Sequence, residues 1–141
     1  ISSTVIYSGS MWTKIYALLS TKGAPIYDTR VSAAVAALVS LFFKEKKLSS
    51  TRNYLVDFSV PHRQERRSHV TFVNSEKIFF TTLRNNSSRW TEDTIKLSWL
   101  MDAVLANREG LFAQEGGIVS RKHAFEASLF MVGYDVRKVF I

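Results

Sequence analysis

Apolar side chains recur every three or four residues in several parts of this 141-residue chain. That spacing places them on one face of an α-helix. It predicts helices over about 11–20, 29–43, 91–108 and 121–132. Residues 76–83 favour a further short helix, although their phenylalanines and threonines leave a strand open. The pattern predicts an all-α fold, a compact bundle of about five helices in a single domain spanning 1–141.

The first two predicted helices are expected to form the core pair. The first carries a stripe of Met11, Ile15, Leu18 and Leu19. The second is apolar around most of its circumference and rich in alanine, which predicts a central, buried helix. Its stripe consists of Val31, Val35, Leu38 and Phe42.

Polar and turn-forming residues set the expected boundaries of these elements. The segment Lys22-Gly23-Ala24-Pro25 predicts a tight turn, so the first two helices form a helix-hairpin-helix-like element. At most a minor strand is expected around 54–60, followed by an exposed basic loop over 61–69. Residues suited to helix N-caps precede the helices, and Gly133 suits the C-terminal end of the last one. The expected N-caps are Ser10, Asp28, Thr91 and Ser120.

The charge balance narrows the classes of partner. The formal net charge is +7, and a basic surface attracts polyanions, nucleic acid first and acidic membranes second. The chain has no cysteine, which excludes disulfides and thiolate metal sites and favours a reducing, intracellular compartment. Its apolar runs are too short to span a bilayer, and its first residues lack the pattern of a signal peptide. It begins at Ile1 rather than at methionine, which leaves a missing N-terminal portion open.

Two residues near the predicted turn, a lysine and an aspartate, have side chains that can take part in catalysis. Lys14 lies at the edge of the first apolar stripe, where partial burial would favour a nucleophilic amine. The alternative is a lysine whose stem packs while its head reaches solvent. Asp28 is expected to cap the second helix, where backbone amides hold a carboxylate ionised. Such a carboxylate at a cleft can act as a base or stabilise a cation.

The stretch Thr13-Lys14, its apolar helix, and then Pro25-Ile26-Tyr27-Asp28-Thr29-Arg30-Val31 resembles the helix-hairpin-helix DNA base-excision glycosylases, in particular the 8-oxoguanine glycosylase branch. The resemblance covers about residues 8–35. It implies an all-α fold and cleavage of the N-glycosidic bond of a flipped base, with or without strand cleavage. Lys14 would be the nucleophile that attacks the deoxyribose C1′ atom, and Asp28 would be the catalytic carboxylate. It implies no cofactor.

Basic and aromatic residues around this stretch suit contacts with DNA. Arginine side chains position a nucleic acid by its phosphates, and aromatic rings stack on an extruded base. The alternatives are a solvated charged loop for the arginines and core packing for the rings. The three histidines have no metal-ligand spacing, so no metal site is predicted. The candidate contacts are Arg30, Arg63, Arg66 and Arg67 for phosphates, and Trp12, Tyr16 and Tyr27 for bases.

Two functions without catalysis remain open. One is a basic helical module that binds nucleic acid, and the other is a helical protein-interaction domain. The sequence does not distinguish DNA from RNA, identify the base or give the oligomeric state.

Overall fold

Four α-helices and two short strands form the part of the chain that the computed structural model describes, which is 9–46, 56–61, 80–83, 87–106 and 110–136. A 3-10 turn at Ala113–Glu115 precedes the last helix. In chain order the elements are α1 (Ser10–Leu19), α2 (Thr29–Glu45), β1 (Val56–Pro61), β2 (Phe80–Leu83), α3 (Ser87–Leu105) and α4 (Ile118–Val132).

The predicted all-α class is confirmed, since helices dominate the described residues. The count is four α-helices there rather than about five. Part of the segment 76–83 forms strand β2, so its β-branched and aromatic residues prevail over the helical spacing. The strand expected around 54–60 is present as β1, and it pairs with β2 in parallel, which the sequence did not predict.

Helix α2 is the centre of the fold, as its composition predicted. Every residue from Val31 to Ala37 is buried, because the helix packs against β1 on one side and α4 on another. The alanines allow this close approach, since they add little bulk beyond the backbone. The stripe does not stay buried to its end: Leu38 is 37% exposed and Phe42 is 52% exposed.

Helices α3 and α4 complete the core around Tyr27 and α2. Leu97, Met101 and Leu105 on α3 follow one another at four-residue spacing and are almost fully buried. Ile95 and Trp99 also follow each other at four-residue spacing, but they lie outside this core, since Ile95 is 36% exposed and Trp99 67%. On α4 the apolar residues that pack into this core are Phe125, Leu129 and Val132, at helical spacing.

Helix α1 lies at the periphery, and the predicted core pair of α1 and α2 is wrong. Thr13 is the one residue of α1 that is buried. The predicted apolar stripe faces outward: Met11 is 66% exposed, Leu18 86% and Leu19 77%. Among the described residues, every helix is too short or too polar to cross a membrane.

Only one of the four predicted N-caps is confirmed. Asp28 accepts backbone hydrogen bonds at the start of α2. Ser10 is the first residue of α1, after Gly9 in the cap position. Thr91 and Ser120 both lie inside their helices, because α3 begins at Ser87 and α4 at Ile118. A good capping residue does not end a helix when the preceding residues also accept helical geometry.

A buried polar network joins the start of α2 to β1 and α3. The Tyr27 hydroxyl donates to the Ser59 carbonyl oxygen at 2.9 Å. The Ser59 amide donates to Asp93 Oδ2 at 3.1 Å, and Arg89 Nε lies 3.5 Å from Asp93 Oδ1. Burial raises the pKa of Asp93, while the hydrogen bonds from Ser59 and the charge of Arg89 oppose the rise. Burial and the charge of Asp93 raise the pKa of Tyr27 well above its usual value.

Replacing Tyr27 with phenylalanine is expected to lower the free energy of unfolding by about 1 kcal/mol. The ring stays in place, but the buried carbonyl of Ser59 loses a donor. Urea unfolding of Tyr27→Phe against wild type measures the loss. Tyr16→Phe is the matched control, because that ring is 54% exposed and its removal of a hydroxyl should change stability little. Equal effects from both variants would contradict the network.

Candidate functional site

A pocket of about 380 Å³ lies between α1, the segment that leads into α2, and α4. Its size falls within the range of small-molecule sites in proteins. Aliphatic and aromatic side chains supply most of its wall, and four titratable side chains line it as well. The lining residues are Lys14, Ile26, Asp28, His123, Glu126, Ala127, Phe130 and Met131.

A buried threonine holds α1 against this pocket. Thr13 is 1% exposed, and its hydroxyl lies 3.0 Å from the Ser10 carbonyl oxygen and 3.3 Å from that of Tyr27. Thr13 immediately precedes Lys14, and Tyr27 immediately precedes Asp28. The contact between Thr13 and Tyr27 therefore brings their neighbours to the same pocket. Those neighbours, Lys14 and Asp28, are 14 positions apart in the chain.

The turn after α1 returns the chain toward the pocket. Ser20 Oγ accepts the amides of Lys22 at 3.2 Å and Ala24 at 3.0 Å. Gly23 has φ of +68°, a left-handed conformation that favours glycine. Lys122 of α4 packs its stem against this glycine and donates to the Lys22 carbonyl at 3.4 Å. The predicted turn at Lys22-Gly23-Ala24-Pro25 is thus fixed to α4, which forms the opposite wall.

Lys122 is a second lysine near the site, and its head is already paired. Its Nζ atom lies 2.7 Å from Asp102 Oδ1, and the residue is 7% exposed. This ion pair joins α4 to α3. Lys122 is therefore a structural residue rather than a candidate nucleophile.

Asp28 is both a helix cap and a wall residue of the pocket. Its Oδ1 atom accepts the amides of Arg30 at 2.8 Å and Val31 at 2.9 Å. The residue is 8% exposed. The positive end of α2 stabilises negative charge at this point. The sequence predicted the cap, and it left open whether Asp28 lies at a cleft.

Glu126 brings a second carboxyl group to the pocket, and the sequence reading missed it. Burial raises its pKa, and the charge of Asp28 adds to the rise, while a backbone hydrogen bond from Ile26 opposes it. Two carboxyl groups of different character thus face one cavity. The signal in the sequence was weak: Glu126 follows Phe125 on α4 and lies next to the buried stripe of that helix.

Lys14 reaches the pocket from α1, but it is an exposed residue. The expectation that it would be partly buried is wrong, because the stripe beside it does not enter the core. His123 also lines the pocket and is exposed. The pocket therefore has two basic side chains on its exposed side and two carboxyl groups deeper in.

Arg30 lies beside the pocket with its position set by two aromatic rings. Its guanidinium carbon is 4.5 Å from the centre of the Phe130 ring and 5.2 Å from that of Tyr134. Cation–π contacts of this kind orient a guanidinium without using its N–H donors. Since Phe130 is also a wall residue of the pocket, the structure brings the predicted phosphate contact to the rim of the site.

The other predicted contacts are not part of this pocket. Trp12 and Tyr16 are 42% and 54% exposed, and their ring centres are 6.2 Å apart. Each is two positions from Lys14, about 200° around a helix, so they lie on the opposite side of α1. Tyr27 is fully buried, so it is a core residue and cannot stack on a base. Arg63, Arg66 and Arg67 lie outside the described residues.

The described ranges contain no group of three or more histidine, aspartate or glutamate side chains placed to hold a metal ion. Comparison of the chain with models of protein families, with curated proteins and with solved structures finds no match. The fold and the site define a mainly helical protein with a two-carboxyl, lysine-lined pocket.

Proposed function

We propose that this pocket is the active site of a DNA glycosylase-like enzyme that cleaves the N-glycosidic bond of a flipped base. The observation that carries the proposal is that Lys14 and Asp28 line one pocket of about 380 Å³. A shared cleft is what the resemblance to base-excision glycosylases requires of these two residues. The basic surface of the chain and its helical fold agree with a DNA partner.

The apolar side chains of the pocket support the proposal that it takes up a flipped base. Enzymes that act on bases extrude the nucleotide and read it in a closely fitting pocket with apolar walls. Ile26, Phe130 and Met131 supply such walls here. Arg30, held over Phe130, lies where it can contact a phosphate next to the flipped nucleotide.

The proposed reaction uses Lys14 and Asp28 at the sugar. Lys14 first gives its ammonium proton to solvent. Its Nζ atom then forms a bond to C1′ while the glycosidic bond breaks, and the bonding electron pair leaves with the base. Asp28 takes one proton from the bound nitrogen and returns it to O4′ as the C1′–O4′ bond breaks. This leaves a protonated imine between Lys14 and C1′, and the base takes up a proton. The negative charge of Asp28 stabilises the positive charge that develops on the sugar, which is where preorganised electrostatics contribute most to rate.

Borohydride trapping on DNA with an abasic or damaged site tests the lysine step. We expect wild-type protein to form a covalent adduct and Lys14→Gln to lose almost all of it, because the amide cannot form an imine. Lys22→Gln is the matched control, since Lys22 is an exposed lysine on the neighbouring turn and does not line the pocket. It should form as much adduct as wild type.

Two results would contradict the lysine step: no adduct with intact protein, or an adduct that persists in Lys14→Gln. Salt-dependent DNA binding without adduct or base release would favour the non-enzymatic nucleic-acid-binding module. Failure to bind duplex or single strands at low salt would favour the protein-interaction domain, because a protein of charge +7 with a nucleic-acid role should bind there.

A further inference from the structure

We propose that Glu126 is the catalytic acid of this pocket and protonates the leaving base. This role rests on the proposed function, which needs a proton source for the base and does not name one. Glu126 lines the same pocket as Lys14 and Asp28. The substrate must therefore carry a base with a ring nitrogen or exocyclic oxygen that accepts a proton.

The carboxyl groups of Glu126 and Asp28 differ in their hydrogen bonds and in their surroundings. At the start of α2, two backbone amides donate to Asp28 Oδ1, and they stabilise the charge of the carboxylate. Glu126 is half-buried on α4 and receives one backbone hydrogen bond, from Ile26. Two carboxyl groups in one site, held in unequal environments, commonly divide into a charged group and a protonated one.

Three titratable side chains line the pocket with Glu126, and the charge of Asp28 favours this division. Asp28 approaches from the segment before α2, Lys14 from α1 and His123 from α4 itself. Burial is the largest influence on Glu126 and raises its pKa, and the negative charge of Asp28 raises it further. The two basic side chains are on exposed residues, where solvent screens their opposing effect.

Glu126 supplies the proton that the leaving base takes up. As the C1′–N bond breaks, its electron pair moves onto the base, and the Glu126 O–H proton passes to the base acceptor. Glu126 is left as a carboxylate. It is reprotonated when it takes a proton from the water molecule that adds to C1′, directly or in hydrolysis of the lysine adduct.

Base release measured across pH provides the test. We expect Glu126→Gln to slow base release by about 10²- to 10⁴-fold, the usual contribution of a general acid. Wild type should lose rate as pH rises through the pKa of Glu126, because the required form is the protonated one. The variant should lack that fall. Glu115→Gln is the matched control: Glu115 is exposed on the 3-10 turn, away from the pocket, and its loss should leave rate and profile unchanged.

Titration of the Glu126 carboxyl carbon by NMR gives a readout that does not require activity. We expect its midpoint in wild type to lie above that of an ordinary glutamate. Asp28→Asn should lower that midpoint, because it removes a neighbouring negative charge while the burial of Glu126 remains.

The outcomes separate this inference from the function on which it rests. Base release that Glu126→Gln retains with an unchanged pH profile overturns the role of Glu126 alone. An ordinary midpoint that Asp28→Asn does not move also overturns it. No base release by wild type, with the coupled titration present, overturns the proposed function and the acid role together.

Discussion

Gly133→Ala is expected to lower the free energy of unfolding by about 3 kcal/mol, at the upper end of the cost of overpacking. Gly133 follows α4 at the point where that helix meets the start of α2. A Cβ atom there would overlap the carbonyl oxygen of Arg30 and lie 2.5 Å from its carbonyl carbon. Both are backbone atoms, so no side chain can move aside, and α4 would have to shift away from α2.

Denaturant unfolding of Gly133→Ala measures this cost, and Gly117→Ala at the other end of α4 is the matched control. A Cβ atom at Gly117 would meet nothing within 4 Å, and its φ of −74° suits any residue. Its replacement should cost less than about 1 kcal/mol, the loss of a glycine N-cap. A Gly133→Ala protein as stable as the control would show that α2 and α4 do not approach as closely as described.

Gly133 also shows how a residue can be predicted correctly for the wrong reason. The sequence suggested a glycine at the end of the last helix, where a left-handed conformation is common. The helix does end there, but Gly133 is right-handed, with φ of −69°. What requires glycine is contact with another helix, and such contacts leave no trace in local sequence.

The same distinction explains which helix faces were predicted. For α2, nearly the whole circumference is apolar in the segment Val31 to Ala37, so any orientation gives a buried helix. For α3, two apolar faces were available, and the buried one is that of Leu97 and Met101. The face of Ile95 and Trp99 is not the buried one, because Asp93 on the other face accepts a hydrogen bond from the Ser59 amide of β1. That partner is 34 positions away and could not be seen in periodicity.

The predicted burial of helix α1 was wrong for a different reason. Its composition is that of a core helix, yet one small polar residue, Thr13, is what the fold buries. An apolar stripe shows that burial would be favourable, but it does not show that a partner surface exists.

The candidate site was predicted in part because part of it is local. Lys14 and Asp28 flank one turn, so both could be chosen as candidates from a single stretch of sequence. Glu126 and His123 come from α4, roughly 100 positions later in the sequence. They reach the pocket because α4 packs on α2, a tertiary contact. The second carboxyl group could therefore be recognised only once the helices were placed.

Asp28→Asn is expected to slow base release by about 100-fold or more while changing stability by less than about 1 kcal/mol. The two roles of Asp28 make this variant informative. Asparagine caps a helix as well as aspartate does, so the amides of Arg30 and Val31 keep an acceptor. The amide carries no charge, so nothing replaces the carboxylate opposite a cationic sugar. The free energy of unfolding should therefore fall only by the amount that the charge of Asp28 contributes through the dipole of α2.

Comparison with two further variants separates capping from chemistry. Asp28→Ser also keeps an acceptor and should match Asp28→Asn in both stability and base release. Asp28→Ala removes the cap as well and should lower the free energy of unfolding by about 1 kcal/mol in addition to losing activity. If Asp28→Asn and Asp28→Ser release base at the wild-type rate while Asp28→Ala only unfolds more easily, Asp28 is a helix cap and nothing more. The carboxylate of Asp28 would then serve only to cap α2, and any catalysis in the pocket would have to proceed without it.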